Sequence, residues 1–335
     1  MKNEILRRLS ALALGLALLL NAAPLPQAFA VEDDTDASSS DSADSTDTAD
    51  KTAVTTADSD PTVTAAAANA PALDATAALL VSPESDMVLY EKNADEKRYP
   101  ASTTKIMTAL LTLENVSDLS VVVTAEASDF ENVTSDSSNA GIKVGEQVTV
   151  KDLLYALMLP SANEAAYMLA RHVGGSWEQF VDMMNERAAE LGCTGTHFCN
   201  PCGLHEDDHY TTAHDLYLIA KEAMKDATFR DIVSTVQHRM AKTNLHEERI
   251  ILTTNQLIFS SFQPWSYANC LGIKTGHTSQ AGNCFVGYAE YGDAKLFSVV
   301  LGCSSSSKEY PTVAASFTDT KSLCQWGFEN FTSKT

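Results

Sequence analysis

Alternation and helical spacing divide the chain beyond about residue 73 into short elements. Ala77–Ser82 and Met87–Glu91 are short apolar runs on either side of Pro83-Glu84-Ser85-Asp86, a pattern that predicts a β-hairpin. Thr103–Leu113 carries Ile106, Ala109, Leu110 and Leu113 at helical spacing. Lys151–Leu159 reads as a helix up to Pro160, and Asn163–His172 as another that stops at Gly174-Gly175. Trp177–Leu191 and His214–Met224 repeat the helical pattern, and Leu271–Lys274 reads as a strand. Cys284–Tyr291 and Lys295–Leu301 flank Gly292-Asp293, a second hairpin, and Ala314–Trp326 is a last helix. Strands therefore stand at both ends of the region and helices in its middle. That order predicts an α+β fold, an antiparallel sheet flanked by helices with a helical region inserted, rather than a βαβ series. No internal repeat is present.

The first 72 residues do not fit this pattern. Residues 1–30 begin with Lys2, Arg7 and Arg8, continue through the apolar stretch Leu9–Leu20 and reach Ala28-Phe29-Ala30, the layout of a cleaved export signal. Asn21, Pro24 and Pro26 cut the apolar stretch short of the roughly 20 residues that a membrane span needs. Residues 31–72 contain no Phe, Tyr or Trp and consist largely of Asp, Ser, Thr and Ala, so they cannot bury enough apolar surface to order themselves. They read as a self-repelling acidic spacer with a coil span of ~35 Å. The expected layout is thus a signal peptide at 1–30, a disordered linker at 31–72 and one ordered domain at 73–335. The mature protein is expected to be exported, outside the cytoplasmic membrane.

Charge narrows the partners. The formal net charge is −21, of which residues 31–72 supply −9 and residues 1–30 supply +2, leaving −14 on the remainder. An acidic surface of this kind excludes nucleic acid as a natural partner, because binding a phosphate backbone needs clustered cations.

Seven cysteines follow the signal: Cys193, Cys199, Cys202, Cys270, Cys284, Cys303 and Cys324. The odd number leaves at least one unpaired. Cys193, Cys199 and Cys202 lie among His197, His205, His209 and His214, but C-x5-C-x2-C is not the paired-knuckle spacing of a structural zinc site. No metal is expected. Buried thiols filling a core are the better reading, with one disulfide involving Cys199 or Cys202 left open.

Three short motifs carry the chemistry. Ser102-Thr103-Thr104-Lys105 puts an amine three residues after a hydroxyl, one helical turn away on the same face. A serine hydroxyl is a poor nucleophile until a base removes its proton, and a desolvated lysine beside another cation can be that base. Ser161-Ala162-Asn163, between two helical runs, adds a second hydroxyl for proton relay and an amide that can both donate and accept. Lys274-Thr275-Gly276 offers a second positive charge and a hydroxyl, with a glycine that lets a ligand backbone approach, and Thr278 offers a further hydroxyl. Singly these motifs are weak. Ser305-x-x-Lys308 and Ser137-Ser138-Asn139 match the first two by chance.

In the order S-x-x-K, S-x-N, K-T-G the set is specific. With Leu89-Tyr90-Glu91-Lys92-Asn93, Tyr99-Pro100-Ala101 before Ser102, Thr196-His197-Phe198, Asn200-Pro201, Gly203-Leu204 and Gly272-Ile273-Lys274-Thr275-Gly276-His277-Thr278, the chain resembles the serine D-alanyl-D-alanine carboxypeptidases, the low-molecular-mass penicillin-binding proteins, over about residues 75–330. The resemblance implies the β-lactamase/penicillin-binding-protein-like transpeptidase fold and no cofactor. It implies that Ser102 attacks the carbonyl of the penultimate D-Ala of a peptidoglycan stem peptide, that Lys105 is the general base and that Ser161 relays the proton. It further implies that Asn163 holds the substrate amide, that Lys274 keeps the site electropositive, and that Thr275 and Thr278 receive the terminal carboxylate. Gly276 lies between them, and the backbone N–H groups of Ser102 and His277 would form the oxyanion hole. β-Lactams would acylate Ser102.

The chain departs from that family's pattern in two places. Many members carry a small β-rich domain and an amphipathic helix at the C-terminal end, and the short stretch after Trp326 holds neither, which counts against membrane attachment. Many also carry an Arg after the last core strand that helps clamp the substrate carboxylate. No Arg follows Arg249 here, and Lys308 lies about where it would fall. A class A β-lactamase would need S-D-N and an E-x-x-L-N segment, and both are missing. Endopeptidase or transpeptidase activity uses the same motifs, and a non-catalytic wall binder on this scaffold is the reading from another class.

Overall fold

The computed structural model describes residues 52–54, 69–134, 137–259 and 263–331. The signal assigned to residues 1–30 and most of the acidic spacer lie outside the described residues.

The chain is organised on one antiparallel sheet. Its strands are β1 (Thr52–Val54), β2 (Ala77–Ser82), β3 (Met87–Lys92), β8 (Cys270–Thr278), β9 (Gly282–Tyr291) and β10 (Ala294–Cys303), in the spatial order β1-β3-β2-β10-β9-β8. Both hairpins expected from the pattern form, β2–β3 and β9–β10. The first and last parts of the domain meet where Leu79 of β2 pairs with Val299 of β10. Thr52–Val54, inside the stretch expected to be an unstructured spacer, pairs with Tyr90–Lys92 at the sheet edge. An open edge of unpaired backbone groups is a template for any extended segment, whatever its side chains.

The central strands are buried on both faces. In β2 the side chains of Ala77, Leu79 and Val81 join one core, and those of Ala78 and Leu80 join another. The second core is closed by the last helix (Ala315–Phe331), through Leu323, Trp326 and Phe328. The first is shared with the inserted helical region: α1 (Lys105–Asn115), α2 (Val150–Met158), α3 (Asn163–Gly174), α4 (Trp177–Glu190) and α5 (Ala213–Ala223). Hydroxyls start three of these helices. Thr149, Ser176 and Thr212 each accept from the backbone N–H three residues on. Gly175, with φ +83°, ends α3 in the left-handed conformation that glycine adopts without strain.

Two small hairpins and two helices escaped the pattern reading: β4 (Val122–Thr124) with β5 (Gln147–Thr149), β6 (Gln237–Met240) with β7 (Arg249–Leu252), α6 (Ala227–Ser234) and the single turn Gln256–Phe259. The strands are three or four residues long and expose Val122, Ile250 and Leu252, so they carry little alternation to read.

Candidate active site

The S-x-x-K segment begins as a 3₁₀ turn, Ala101–Thr104, and becomes α-helical only at Lys105. This corrects the uniform helix expected from Thr103. In a 3₁₀ turn residues i and i+3 eclipse, so Lys105 stands directly over Ser102. Lys105 Nζ lies 3.0 Å from Ser102 Oγ. It also donates to Asn163 Oδ1 at 2.7 Å and to the Cys202 carbonyl at 2.7 Å. The lysine is wholly buried, whereas Ser102 is half-buried and open to a ligand.

A loop holds this turn in place. Asn200 Oδ1 accepts from the backbone N–H groups of Cys202 and Gly203, Thr108 Oγ1 donates to the Pro201 carbonyl at 2.6 Å, and the Cys202 carbonyl reaches Lys105. Gly203, with φ +87°, passes so close that a Cβ there would lie 1.9 Å from the Ala101 carbonyl oxygen. Only glycine fits such an approach. His209 closes the arrangement. Its Nδ1 accepts the Cys199 N–H at 3.1 Å, which puts the proton on Nε2, and Nε2 donates to Thr104 Oγ1 at 2.9 Å. Burial, followed by the charges of His197, His205 and Lys105, holds His209 down to about 3, so it stays neutral.

The S-x-N residues follow α2. Ser161 sits in the left-handed region at φ +66° and is 4% exposed; its Oγ is buried without a hydrogen-bond partner. Asn163 begins α3, and its N–H donates to the carbonyl of Ser138, one of the residues of the chance S-x-N match. Glu164, also buried, accepts from the N–H groups of Ala140 and Ile142 and so fixes this strap beside Asn163. Burial raises its carboxyl above the usual range.

The K-T-G residues lie on β8, the sheet's edge strand. Lys274 is buried, and its Nζ donates to the Thr275 carbonyl at 3.0 Å. Thr275 Oγ1 is 2.6 Å from Thr254 Oγ1, and Thr278 Oγ1 accepts from the Ala281 N–H. A Cβ on Gly276 would lie 3.1 Å from the Ser102 nitrogen and 3.0 Å from the Pro100 carbonyl oxygen, so β8 runs against the S-x-x-K turn. His277, next along, is exposed.

Two buried amines thus lie close enough for the charge of one to act on the other. Burial lowers Lys105 to about 8, against which the nearby Cys202 thiol and Glu164 act. Burial lowers Lys274 well below the ordinary lysine range, and the charge of Lys105 lowers it further. Of the two causes expected to lower Lys105, burial and a neighbouring cation, burial is the one that acts, because the turn, α3 and the 200–203 loop enclose the amine completely.

Lys308 stands apart. It is exposed on the loop after β10, and among the described residues no hydrogen bond or ion pair involves its ammonium. All seven cysteines are free thiols; Cys199 is half-buried and the other six are buried. Among the described residues no group of three or more His, Cys, Asp or Glu side chains is arranged to hold a metal ion, and no helix is long and apolar enough to cross a membrane.

Comparison with known proteins agrees with this geometry. A family model described as D-alanyl-D-alanine carboxypeptidase matches residues 64–305. The chain belongs to the D-alanyl-D-alanine carboxypeptidase family. Among curated relatives of this family, D-alanyl-D-alanine carboxypeptidase DacF of Bacillus subtilis is 34% identical over 69% of this chain and 58% of its own length. DacC of Escherichia coli is 34% identical over 79% of this chain and 64% of its own. The chain therefore spans about three fifths of the length of these two relatives. The solved Streptomyces K15 DD-transpeptidase is 33% identical with a TM-score of 0.69, covering 78% of this chain and 99% of that one. The fold is accordingly that of the penicillin-binding DD-peptidases.

Sequence reading named Ser102, Lys105, Asn163 and Lys274, and the fold brings the first three into one hydrogen-bonded group. It missed the Cys202 carbonyl and the roles of Asn200, Glu164 and His209. Asn200-Pro201 and Gly203-Leu204 stood in the sequence only as points of resemblance, and His209 only as one histidine near two cysteines.

Proposed function

We propose that this protein is a serine-type D-Ala-D-Ala carboxypeptidase that removes the terminal D-alanine from peptidoglycan stem peptides. The observation that carries the reading is the set of three partners around Lys105 Nζ. Asn163 Oδ1 and the Cys202 carbonyl can only accept. They occupy both N–H groups of a neutral amine and leave its lone pair for the Ser102 proton.

The reaction follows from that polarity. Ser102 Oγ forms a bond to the carbonyl carbon of the penultimate D-Ala while its proton passes to Lys105 Nζ. The carbonyl electron pair moves onto oxygen, where the N–H groups of Ser102 and His277 stabilise it; losing one such donor typically costs about 10²–10³ in rate. Collapse breaks the C–N bond, and the departing amine takes its proton through Ser161. Water, giving its proton to Lys105, then hydrolyses the ester and returns Ser102. Asn163 holds the substrate amide, and Thr275 and Thr278 receive its carboxylate. A carboxylate arriving there favours protonated Lys274, and a charged Lys274 favours neutral Lys105, the form that acts as base. β-Lactams acylate Ser102 by the same attack. No step calls on a metal or an organic cofactor.

In the same reading residues 1–30 are removed on export, and the acidic stretch between them and the edge strand Thr52–Val54 spaces the catalytic domain from its point of attachment or passage. The mature chain begins near Val31, and N-terminal sequencing of secreted material tests this.

The deciding experiment is covalent labelling with a tagged penicillin, together with D-Ala release from a peptide ending in D-Ala-D-Ala. Wild-type protein does both, and Ser102→Ala does neither. Wild-type protein that folds but neither labels nor releases D-Ala would leave the non-catalytic wall binder as the better account.

A further inference from the structure

A cavity of about 660 Å³ lies beside the catalytic cleft and uses none of its motif side chains. Its size falls among small-molecule sites, which run from roughly 300 to 1,000 Å³. Each wall nevertheless continues an element that builds the catalytic site. Lys97, Arg98 and Tyr99 lead into the Ser102 turn; Asp207 and Tyr210 flank His209; Gln280, Ala281 and Gly282 follow Thr278; Thr76 and Gly302 close the floor.

The walls are held by backbone pairing. Arg98 and Thr211 exchange N–H···O bonds of 2.7 and 2.9 Å, and His197 and Tyr210 exchange bonds of 2.9 and 3.0 Å. Two of the lining residues are glycine for a steric reason. A Cβ on Gly302 would lie 2.0 Å from Thr76 Oγ1, and one on Gly282 2.8 Å from the Cys303 carbonyl oxygen.

The lining mixes aromatic faces with donors and acceptors of both signs. Tyr99 and Tyr210 are half-buried, and Lys97 Nζ stands 3.8 Å above the centre of the Tyr210 ring. His205 meets Tyr99 edge-on at 4.6 Å. Arg98 is partly neutralised by Glu96 at 2.6 Å, and Asp207 opposes Lys97 in charge, so the cavity does not select for a strong anion. Amphipathic rings with a lysine, an amide and a carboxylate at the rim suit a ligand with apolar C–H faces and many hydroxyl and amide groups. That describes a saccharide carrying acetamido groups better than a hydrophobic compound or a phosphate.

We propose that this cavity is a subsite for a sugar unit of the wall glycan, engaged while the cleft holds the D-Ala-D-Ala end. The proposal rests on the carboxypeptidase reading for its choice of polymer. It makes the enzyme a reader of polymer as well as of peptide.

The test separates the two readings. Lys97→Ala combined with Gln280→Ala, and independently Tyr210→Ala, are made in the full chain. Co-sedimentation with insoluble wall glycan stripped of its peptides needs no catalysis. Wild type co-sediments, and both variants lose at least fivefold in retention. D-Ala release from intact wall polymer falls several-fold in the variants. Release from a short soluble peptide and the rate of penicillin labelling stay within twofold. Variants that bind stripped glycan as wild type does, or wild type that does not bind it at all, overturn the subsite. Loss of peptide hydrolysis in wild type would instead sink the carboxypeptidase reading and leave the sedimentation result standing by itself.

Discussion

Lys105 Nζ stands 3.0 Å from Ser102 Oγ while the lysine itself has no exposed surface. Burial therefore does two things at once. It fixes the amine against the hydroxyl, and it lowers the amine to about 8, near the pH at which a base is useful.

The pH dependence of acylation follows with a definite sign. The neutral amine is the base, so the rate rises as pH climbs through about 8 and falls below it. For a group titrating there, the neutral fraction at pH 9 is about ten times that at pH 7. The second-order rate of penicillin labelling should rise by about that factor over this range, with Ser102 as the labelled residue. A flat profile from pH 6 to 9 would mean that Lys105 does not supply the base.

Ser161 separates stability from rate. Its Oγ is buried without a partner, and such an orphaned polar group costs about 1–3 kcal/mol. Ser161→Ala should therefore leave the melting temperature unchanged or raise it. Loss of a proton relay should meanwhile slow D-Ala release by roughly 10²–10⁴. A variant that keeps wild-type turnover removes Ser161 from the mechanism.

His209 should act through position rather than by titration. His209→Ala removes two buried hydrogen bonds, one from the Cys199 N–H and one to Thr104 Oγ1, at a cost of about 1–3 kcal/mol each. The labelling rate constant should fall at least tenfold while the final labelled fraction stays near one, and His209→Gln, which keeps a donor for Thr104, should restore part of the rate. A reduced labelled fraction with an unchanged rate constant would make the residue merely structural.

Lys308 and its neighbour Ser305 test the chance matches. Both are exposed on the loop after β10, and among the described residues no other side chain holds the Lys308 ammonium beside the Ser305 hydroxyl. Lys308→Ala should change kcat/KM by less than twofold, and Ser305→Ala should leave labelling intact. A several-fold loss in Lys308→Ala, recovered in Lys308→Arg, would show that the loop closes over the substrate carboxylate and that Lys308 takes the place of the family's arginine.

The amino-acid order was enough to determine the elements whose burial is regular. The two long hairpins, the helices α1 to α5 and the last helix all carry periodic apolar positions, because each turns one face or both to a core. It also named the three motifs, since each is a local spacing that chemistry requires. It could not assign β4 to β7, whose short exposed strands bury little, nor the edge strand Thr52–Val54, whose place in the sheet is its backbone pairing with β3. Tertiary structure alone decided what surrounds Lys105. Asn163 lies 58 positions away and the Cys202 carbonyl 97, and a main-chain carbonyl leaves no signature in a residue type. The same holds for His209, 105 positions from Thr104, whose tautomer is set by a backbone N–H. Desolvation, which sets the proton affinity of both lysines, is a property of everything packed around them, and no spacing along the chain records it.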